Sequence, residues 1–107
     1  MTELFVRILD LIDRGEVRIS AHGYDELAAD GIFVRDVMES VSAGQVIESY
    51  PDYHRGPCVL VLQYDRSNKP IHVVWGIPRN AEMPAVLITG YRPDPKRWSD
   101  DFVRRIA

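Results

Sequence analysis

The apolar residues in the first 44 positions recur every three or four residues, which is the spacing of one face of an α-helix. Residues that favour helix N-caps precede two of the three runs, and a glycine follows each run. The first run begins after Thr2, the second begins after Ser20, and the third ends at Gly44. This pattern predicts three amphipathic helices and places His22 in the first turn of the second one.

The residue pattern changes at Gln45. From there on, stretches of β-branched and aromatic residues, separated by proline and glycine, replace the helical spacing. The links between these stretches are short, and residues 66–69 have a suitable length for a hairpin connection. Short consecutive links favour an antiparallel sheet. The predicted strands are residues 46–50, 58–65, 71–77 and 85–91.

The C-terminal residues carry a helical signature once more. Asp94 and Pro95 pair a helix N-cap with a proline at the first helical position, and Trp98, Phe102 and Ile106 follow at four-residue intervals. We expect a C-terminal amphipathic helix that packs back on the sheet. The predicted fold class is therefore α+β, with N-terminal helices packed on a four-stranded antiparallel sheet and a C-terminal helix.

Length and composition narrow the class of protein. A chain of 107 residues can build one hydrophobic core, so residues 1–107 are expected to form a single domain. No apolar run approaches the roughly 18 residues of a membrane span, and no signal peptide pattern opens the chain, so a cytoplasmic location without a membrane partner is expected. Cys58 is the only cysteine and the three histidines lack metal-ligand spacing, so no disulfide, metal or cofactor is expected.

The charge is unevenly distributed along the chain. The net charge is −3, but residues 1–54 hold four basic and eleven acidic side chains, whereas residues 55–107 hold nine basic and five acidic ones. A basic C-terminal half could face an anionic ligand, and ordinary solvated surfaces would produce the same asymmetry.

His22 is the first candidate for chemistry because it lies near the expected N-terminus of a helix. The positive end of the helix dipole disfavours imidazolium, which leaves a neutral ring able to accept a proton. A capping or packing role fits the same position equally well.

A second group of candidates lies in the loop between the first two predicted strands. His54 and Arg55 follow Tyr53 and precede Gly56, so one turn concentrates an imidazole, a guanidinium and a phenol. Loops are where binding groups collect. Arg55 suits a phosphate or carboxylate, and Tyr53 offers a stacking face or a hydroxyl proton. A solvated connection whose tyrosine covers the sheet edge would account for the same residues.

A third group lies at the end of the last predicted strand. By strand alternation Thr89 and Tyr91 are expected to share a face with Leu87, and Arg92 follows immediately. A hydroxyl, a phenol and a guanidinium at a strand end could form an anion-binding edge, and they are also ordinary strand and turn residues. The sequence contains no glycine-rich dinucleotide or phosphate loop and no serine-hydrolase elbow, which removes the function classes that leave such signatures.

Several short motifs share an order and spacing with a known family. They are Ser20-Ala21-His22 before a helix, Asp30-Gly31-Ile32, Val46-Ile47-Glu48-Ser49-Tyr50-Pro51, the strand at residues 60–62, Ile71-His72-Val73-Val74 and Ile88-Thr89-Gly90-Tyr91-Arg92-Pro93. From about residue 17 to the C-terminus the chain resembles the bacterial family called domain of unknown function 4258. That family is similar to RelE-type and barnase-like ribonuclease toxins, which pack N-terminal helices on an antiparallel four-stranded sheet, and some members lie beside zinc-finger antitoxins.

The resemblance implies a metal-independent endoribonuclease, with RNA as substrate and an antitoxin as partner. Toxins of this group use the ribose 2′-hydroxyl as nucleophile, which requires a base, cationic groups for the phosphorane charge and an acid for the leaving oxygen. The implied roles are base for His22, acid for Tyr91 or His54, and phosphate binding for Arg55, Arg92 and Thr89.

Two departures from the family pattern favour other functions. Glu26 and Asp30 stand where the family often has arginines, and carboxylates there would repel a phosphate backbone; the pI near 5.5 also differs from that of the strongly basic toxins. The alternative is a non-catalytic domain that binds an antitoxin-like protein or a second copy of itself, which leaves a homodimer open. A small-molecule enzyme acting on an anionic substrate is a third class, without a motif in its favour.

Overall fold

Three short helices precede the main run of strands, as the apolar pattern predicts. The computed structural model describes residues 2–107. The helices are α1 (Glu3–Asp13), α2 (Ala21–Ala29) and α3 (Val34–Ser40), and a single 3₁₀ turn (Val41–Ala43) follows the last of them. No helix within the described residues combines the length and apolar character needed to cross a bilayer.

The helix starts follow the capping signals in the sequence. Thr2 Oγ1 accepts a hydrogen bond from the backbone N–H of Phe5 at 3.1 Å, and Ser20 Oγ accepts one from Gly23 at 2.8 Å. Each bond satisfies a backbone donor that the first helical turn leaves without an intrahelical partner. The amphipathic α1 then buries Phe5, Ile8 and Leu11.

The strands form one five-stranded mixed sheet, in the order β1-β5-β4-β3-β2. The strands are β1 (Val17–Ile19), β2 (Gln45–Tyr50), β3 (Cys58–Tyr64), β4 (Pro70–Gly76) and β5 (Ala85–Tyr91). The four expected strands are present and pair antiparallel, but β1 adds a fifth strand that pairs parallel to β5. The prediction of a four-stranded, wholly antiparallel sheet is therefore wrong. A three-residue stretch shows no periodicity of its own, and its partner strand lies near the other end of the chain.

The expected C-terminal helix does not form. A single turn starts at Asp94, whose carbonyl accepts hydrogen bonds from Arg97 and Trp98, and the chain then folds back so that Trp98 and Arg105 form an antiparallel bridge. Phe102 lies in the left-handed region at φ 64°, which no helix interior allows. We call residues 94–107 the C-terminal segment.

Turn chemistry explains this departure from the helical spacing. Ser99 Oγ donates to Asp101 Oδ1 at 2.6 Å, and the same carboxylate oxygen accepts from the N–H of Val103. Short polar side chains that bond to nearby backbone compete with the helix, and here they win over the i, i+4 apolar pattern.

The helices cover one face of the sheet, and the main core lies between them. Trp75 is fully buried there, and its indole N–H donates to Gln63 Oε1 at 2.9 Å, while Gln63 Nε2 donates to the carbonyl of Val37 on α3 at 2.8 Å. Side chains alternate along each strand, so the neighbours of these core residues point to the opposite face. We call that opposite side the second face; it carries the candidate functional residues.

Candidate anion-binding cleft

A cleft of about 580 Å³ opens on the second face, between the start of α2 and the loop that joins β2 to β3. Its polar lining includes the side chains of Arg18, His22, Tyr53, Arg55 and Thr89, and its apolar lining comes from β5 and from the residues after β4. The structure therefore brings together three residues from the sequence-predicted site, namely His22, Arg55 and Thr89.

The junction between β1 and α2 positions one wall of the cleft. Ser20 lies at this junction, where its N–H donates to the carbonyl of Leu87 at 3.0 Å and its hydroxyl donates to that of Ile88 at 2.9 Å. Gly23 lets the helix start approach the sheet, because a Cβ there would lie 3.0 Å from the Leu87 carbonyl oxygen. This close packing of the helix start on β5 positions His22, in the first turn of α2, at the rim of the cleft.

The loop carrying Tyr53 and Arg55 forms the opposite wall, and it is docked on the chain beyond β4. The N–H of Arg79 donates to the carbonyl of Arg55 at 2.9 Å, and Ile77 donates to that of Pro57 at 3.2 Å. Gly56 adopts φ 135°, and a Cβ on it would overlap the Ile77 carbonyl. Only glycine fits this conformation and this close approach, so the loop conformation that directs Arg55 depends on it.

A β-bulge brings Thr89 into the cleft. Val74 of β4 pairs with Thr89, but the next residue, Trp75, pairs with Leu87, which leaves Ile88 as an extra residue in β5. Ile88 and Thr89 both line the cleft, whereas Leu87 is buried in the core under the helices. The expectation that Thr89 shares a face with Leu87 is therefore wrong, because simple alternation does not survive a bulge.

The cleft is electrostatically suited to an anion. No aspartate or glutamate lines it, and within residues 2–107 neither Arg18 nor Arg55 has a carboxylate oxygen within ion-pair distance. The first turn of α2 adds the positive end of a helix dipole. The nearest carboxylate contact of His22 is long, at 3.9 Å from its Nε2 to Glu26 Oε1.

Asp30, the residue that caps the C-terminus of α2, has another partner. The Asp30 carboxylate accepts a hydrogen bond from the backbone N–H of Arg92 at 2.8 Å, at the far end of α2 from the cleft. Of Glu26 and Asp30, it is therefore the Glu26 carboxylate that lies near His22.

The other three sequence-predicted residues do not line the cleft. The Arg92 guanidinium donates to Asp65 Oδ2 at 2.7 Å and to the carbonyl of Pro70 at 3.1 Å, so it ties β5 to the hairpin between β3 and β4. Tyr91 lies at the other end of the second face, where its hydroxyl is 3.3 Å from His72 Nδ1. The His54 ring lies against the Tyr53 ring at 4.6 Å between centroids and so borders the cleft without lining it.

The C-terminal segment covers the end of the second face where Tyr91 lies. His72 is fully buried there, with its Nε2 2.9 Å from the carbonyl oxygen of Phe102 and its ring edge-on to Trp98 at 4.3 Å. Burial lowers the pKa of His72 and raises that of Tyr91. We call this end of the second face the covered half, and the end with the cleft the open half.

An ion pair fastens the rim of the covered half. Arg105 donates to both carboxylate oxygens of Glu48, at 2.8 and 3.0 Å, and its guanidinium lies 4.8 Å from the centre of the Trp98 ring. The bond to Arg105 lowers the pKa of Glu48, and Tyr50 donates its hydroxyl to the same carboxylate.

Sequence reasoning missed Arg18 as a site residue. The sequence offers little to mark it, since Arg18 is a single arginine between Val17 and Ile19. Only the strand formed by these three residues makes its exposed side chain alternate with half-buried neighbours. Its pairing opposite Val86 in the parallel β1–β5 ladder sets it on the second face, beside the cleft. Within the described residues no three histidine, cysteine or carboxylate side chains form a group that could hold a metal ion.

Fold and cleft together define a small α+β domain with a cationic cleft at the edge of a mixed sheet. The chain belongs to the family described as "Domain of unknown function (DUF4258)", whose family model matches residues 19–92. The match includes His22, Tyr53, Arg55 and Thr89, and it ends before the C-terminal segment. No curated protein and no solved structure matches the chain.

Proposed function

We propose that this protein is an RNA-cleaving enzyme of the kind found in RelE-type toxins, and that the open half of the second face is its active site. The observation that carries the proposal is the convergence in one cleft of His22 with Arg18 and Arg55; within residues 2–107 these arginines form no ion pair and no carboxylate lines the cleft. Ionisable side chains that converge in a concave pocket with apolar walls are typical of catalytic and binding sites. A cytoplasmic location is part of the proposal because the substrate is RNA.

In the proposed reaction, RNA supplies its own nucleophile. His22 takes the proton from a ribose 2′-hydroxyl, and the 2′-oxygen attacks the adjacent phosphorus while Arg55 holds the developing negative charge. The bond from phosphorus to the 5′-oxygen breaks, and that oxygen takes a proton from an acid. The products are a 2′,3′-cyclic phosphate and a free 5′-hydroxyl, so atoms and charge balance without a further reactant.

The acid is assigned to His54 in this proposal. Its ring packs on Tyr53 at the border of the cleft, whereas Tyr91 contacts His72 under the C-terminal segment. Thr89 contributes a hydroxyl that can donate to a phosphate oxygen. Arg92 is left out of the phosphate site because Asp65 and two carbonyls occupy its guanidinium.

The test is cleavage of RNA by the purified chain and by the chain induced in a bacterial host. We expect growth arrest and RNA fragments ending in a 2′,3′-cyclic phosphate. His22→Ala should slow cleavage at least about 100-fold, the usual contribution of a general base. Arg35→Ala, at an exposed arginine on α3, is the charge control and should cleave normally. Intact RNA with folded wild-type protein, or full activity in His22→Ala, would refute the proposal.

A non-catalytic interaction domain is the rival proposal, and the sheet edge favours it. β2 is a six-residue edge strand whose outer side has no partner strand among the described residues, and such edges accept a strand from another chain. The partner would be an antitoxin-like protein or a second copy of the chain. Light scattering at micromolar concentration checks the second option: a dimer that Ile47→Pro abolishes would support it, and a monomer would exclude it.

A further inference from the structure

We infer that the cleft binds a single nucleotide unit of single-stranded RNA, with its phosphate between Arg18 and Arg55 and its base stacked on Tyr53. This inference rests on the proposed function and adds to it two binding residues, Arg18 and Tyr53, and a strand preference.

Arg18 and Arg55 reach the cleft from two different elements of the fold. Arg18 belongs to β1, which pairs with β5, while Arg55 belongs to the loop docked on the residues after β4. Guanidinium groups bind phosphate oxygens through paired N–H donors, and two of them on separate walls can hold one phosphate from two sides. Neither has a carboxylate partner within the described residues, so no internal ion pair must break when an anion enters.

The remaining lining suits a base and a ribose. Val86, Ile88 and Pro78 provide apolar surface, and Tyr53 keeps 45% of its surface exposed at the rim. Aromatic side chains at such positions stack on bases that are not already stacked in a duplex. The volume of about 580 Å³ falls in the range of small-ligand sites, which suits a single nucleotide unit.

Charge alone would also attract an acidic peptide, but the combination of groups favours RNA. A carboxylate ligand needs the arginines and has no use for an exposed aromatic ring beside an apolar floor. A nucleotide uses all three features at once. The contribution of the Tyr53 ring to binding affinity therefore distinguishes RNA from an acidic peptide experimentally.

The experiment measures binding of a fluorescent single-stranded oligonucleotide by anisotropy at several salt concentrations. The probe is fully 2′-O-methylated RNA, which lacks the nucleophile and so is not cut. We expect Arg18→Ala to weaken binding about tenfold and to reduce the slope of log affinity against log salt by about one phosphate contact. Tyr53→Leu should weaken binding by about tenfold with an unchanged slope, and Tyr53→Phe should bind as the wild type does.

Controls separate this inference from the catalytic proposal. Arg104→Ala, at an exposed arginine of the C-terminal segment, should bind normally, and His22→Ala should keep most of the binding although it does not cleave. A matched RNA duplex should bind at least tenfold more weakly than the single strand. Melting temperatures show that each variant is folded.

Two results would overturn the inference. One is normal binding by both Arg18→Ala and Tyr53→Leu while the wild type cleaves RNA. The other is competition by polyglutamate as strong as that by the single strand, with no effect of Tyr53→Leu. If the wild type binds as expected but cuts no RNA, the catalytic proposal fails and the nucleotide site stands.

Discussion

The two halves of the second face each present a histidine, and the two histidines are in opposite environments. His22 in the open half has 67% of its side chain exposed, and the Glu26 carboxylate lies 3.9 Å from its Nε2. His72 in the covered half is fully buried, and both ring nitrogens have partners. The same side chain is thus available to a ligand in one half and committed to the fold in the other.

The arginines repeat this contrast. Arg92 and Arg105 form close ion pairs with Asp65 and Glu48 beside the covered half, whereas Arg18 and Arg55 line the open half without such pairs in the described chain. A charged group that already has a partner gains little from a ligand, because binding would first have to break that pair. Residue type alone therefore does not distinguish the two halves; among the described residues, the arginines that line the cleft differ from those of the covered half in having no carboxylate partner.

Loss of His72 should produce the largest change in stability. We expect His72→Ala to lower the free energy of unfolding by about 2–4 kcal/mol, because it leaves a cavity and removes a partner from the partly buried carbonyl of Phe102. His22→Ala should change it by less than about 0.5 kcal/mol, since His22 is exposed. Urea denaturation of both variants and the wild type measures these changes in the free energy of unfolding. Equal losses in the two variants would contradict the assignment of structural and functional halves.

The pH dependence of stability should belong to the covered half. Burial lowers the pKa of His72 in the folded state, so the unfolded chain binds more protons once the pH falls below the ordinary histidine value of about 6.5. The stability that His72 contributes should be constant above that pH and fall by up to about 1.4 kcal/mol per pH unit below it. Urea midpoints between pH 7.5 and 5 measure this slope.

Variants assign that slope to one residue. His72→Phe should abolish it, with His72→Gln as a second choice if the phenylalanine variant does not fold, while His22→Ala and His54→Ala should retain it. The pKa of Glu48 is lowered by Arg105, so the stability it contributes is lost only as the pH falls below about 4.3, outside the measured range. A slope that persists in both His72 variants would show that another group is responsible.

The smallest effect is expected at the rim of the covered half. Arg105 is 59% exposed, and exposed ion pairs contribute about 0.2–1 kcal/mol, so Arg105→Ala should lower stability by no more than that, and less at 1 M salt. RNA cleavage should be unchanged because Arg105 lies outside the cleft. A loss of cleavage comparable to that of His22→Ala would show that the C-terminal segment takes part in the site.

Part of the candidate site could be predicted from the sequence. His22 follows a capping serine, and Arg55 lies in a loop rich in binding groups, so local signals marked both. Arg18 carried no such signal, since its placement depends on a three-residue parallel strand. The sequence predicted Thr89 and Tyr91 as neighbours in one site. In the structure they lie in different halves, because the bulge at Ile88 turns Thr89 into the cleft and Tyr91 contacts His72 under the C-terminal segment.

The fold shows the same division. Capped amphipathic runs and β-branched stretches determined the three helices and the four long strands, because these depend on neighbours within a few residues. The parallel position of β1, the bulge in β5 and the fold-back of the C-terminal segment are decided only by the tertiary structure. Each depends on hydrogen bonds or packing between segments distant in the chain or on competition with side-chain turns, and the periodicity of a single stretch carries no information about its partner. For the same reason the sequence determined which groups could do chemistry, and the tertiary structure decided which of them share a cleft.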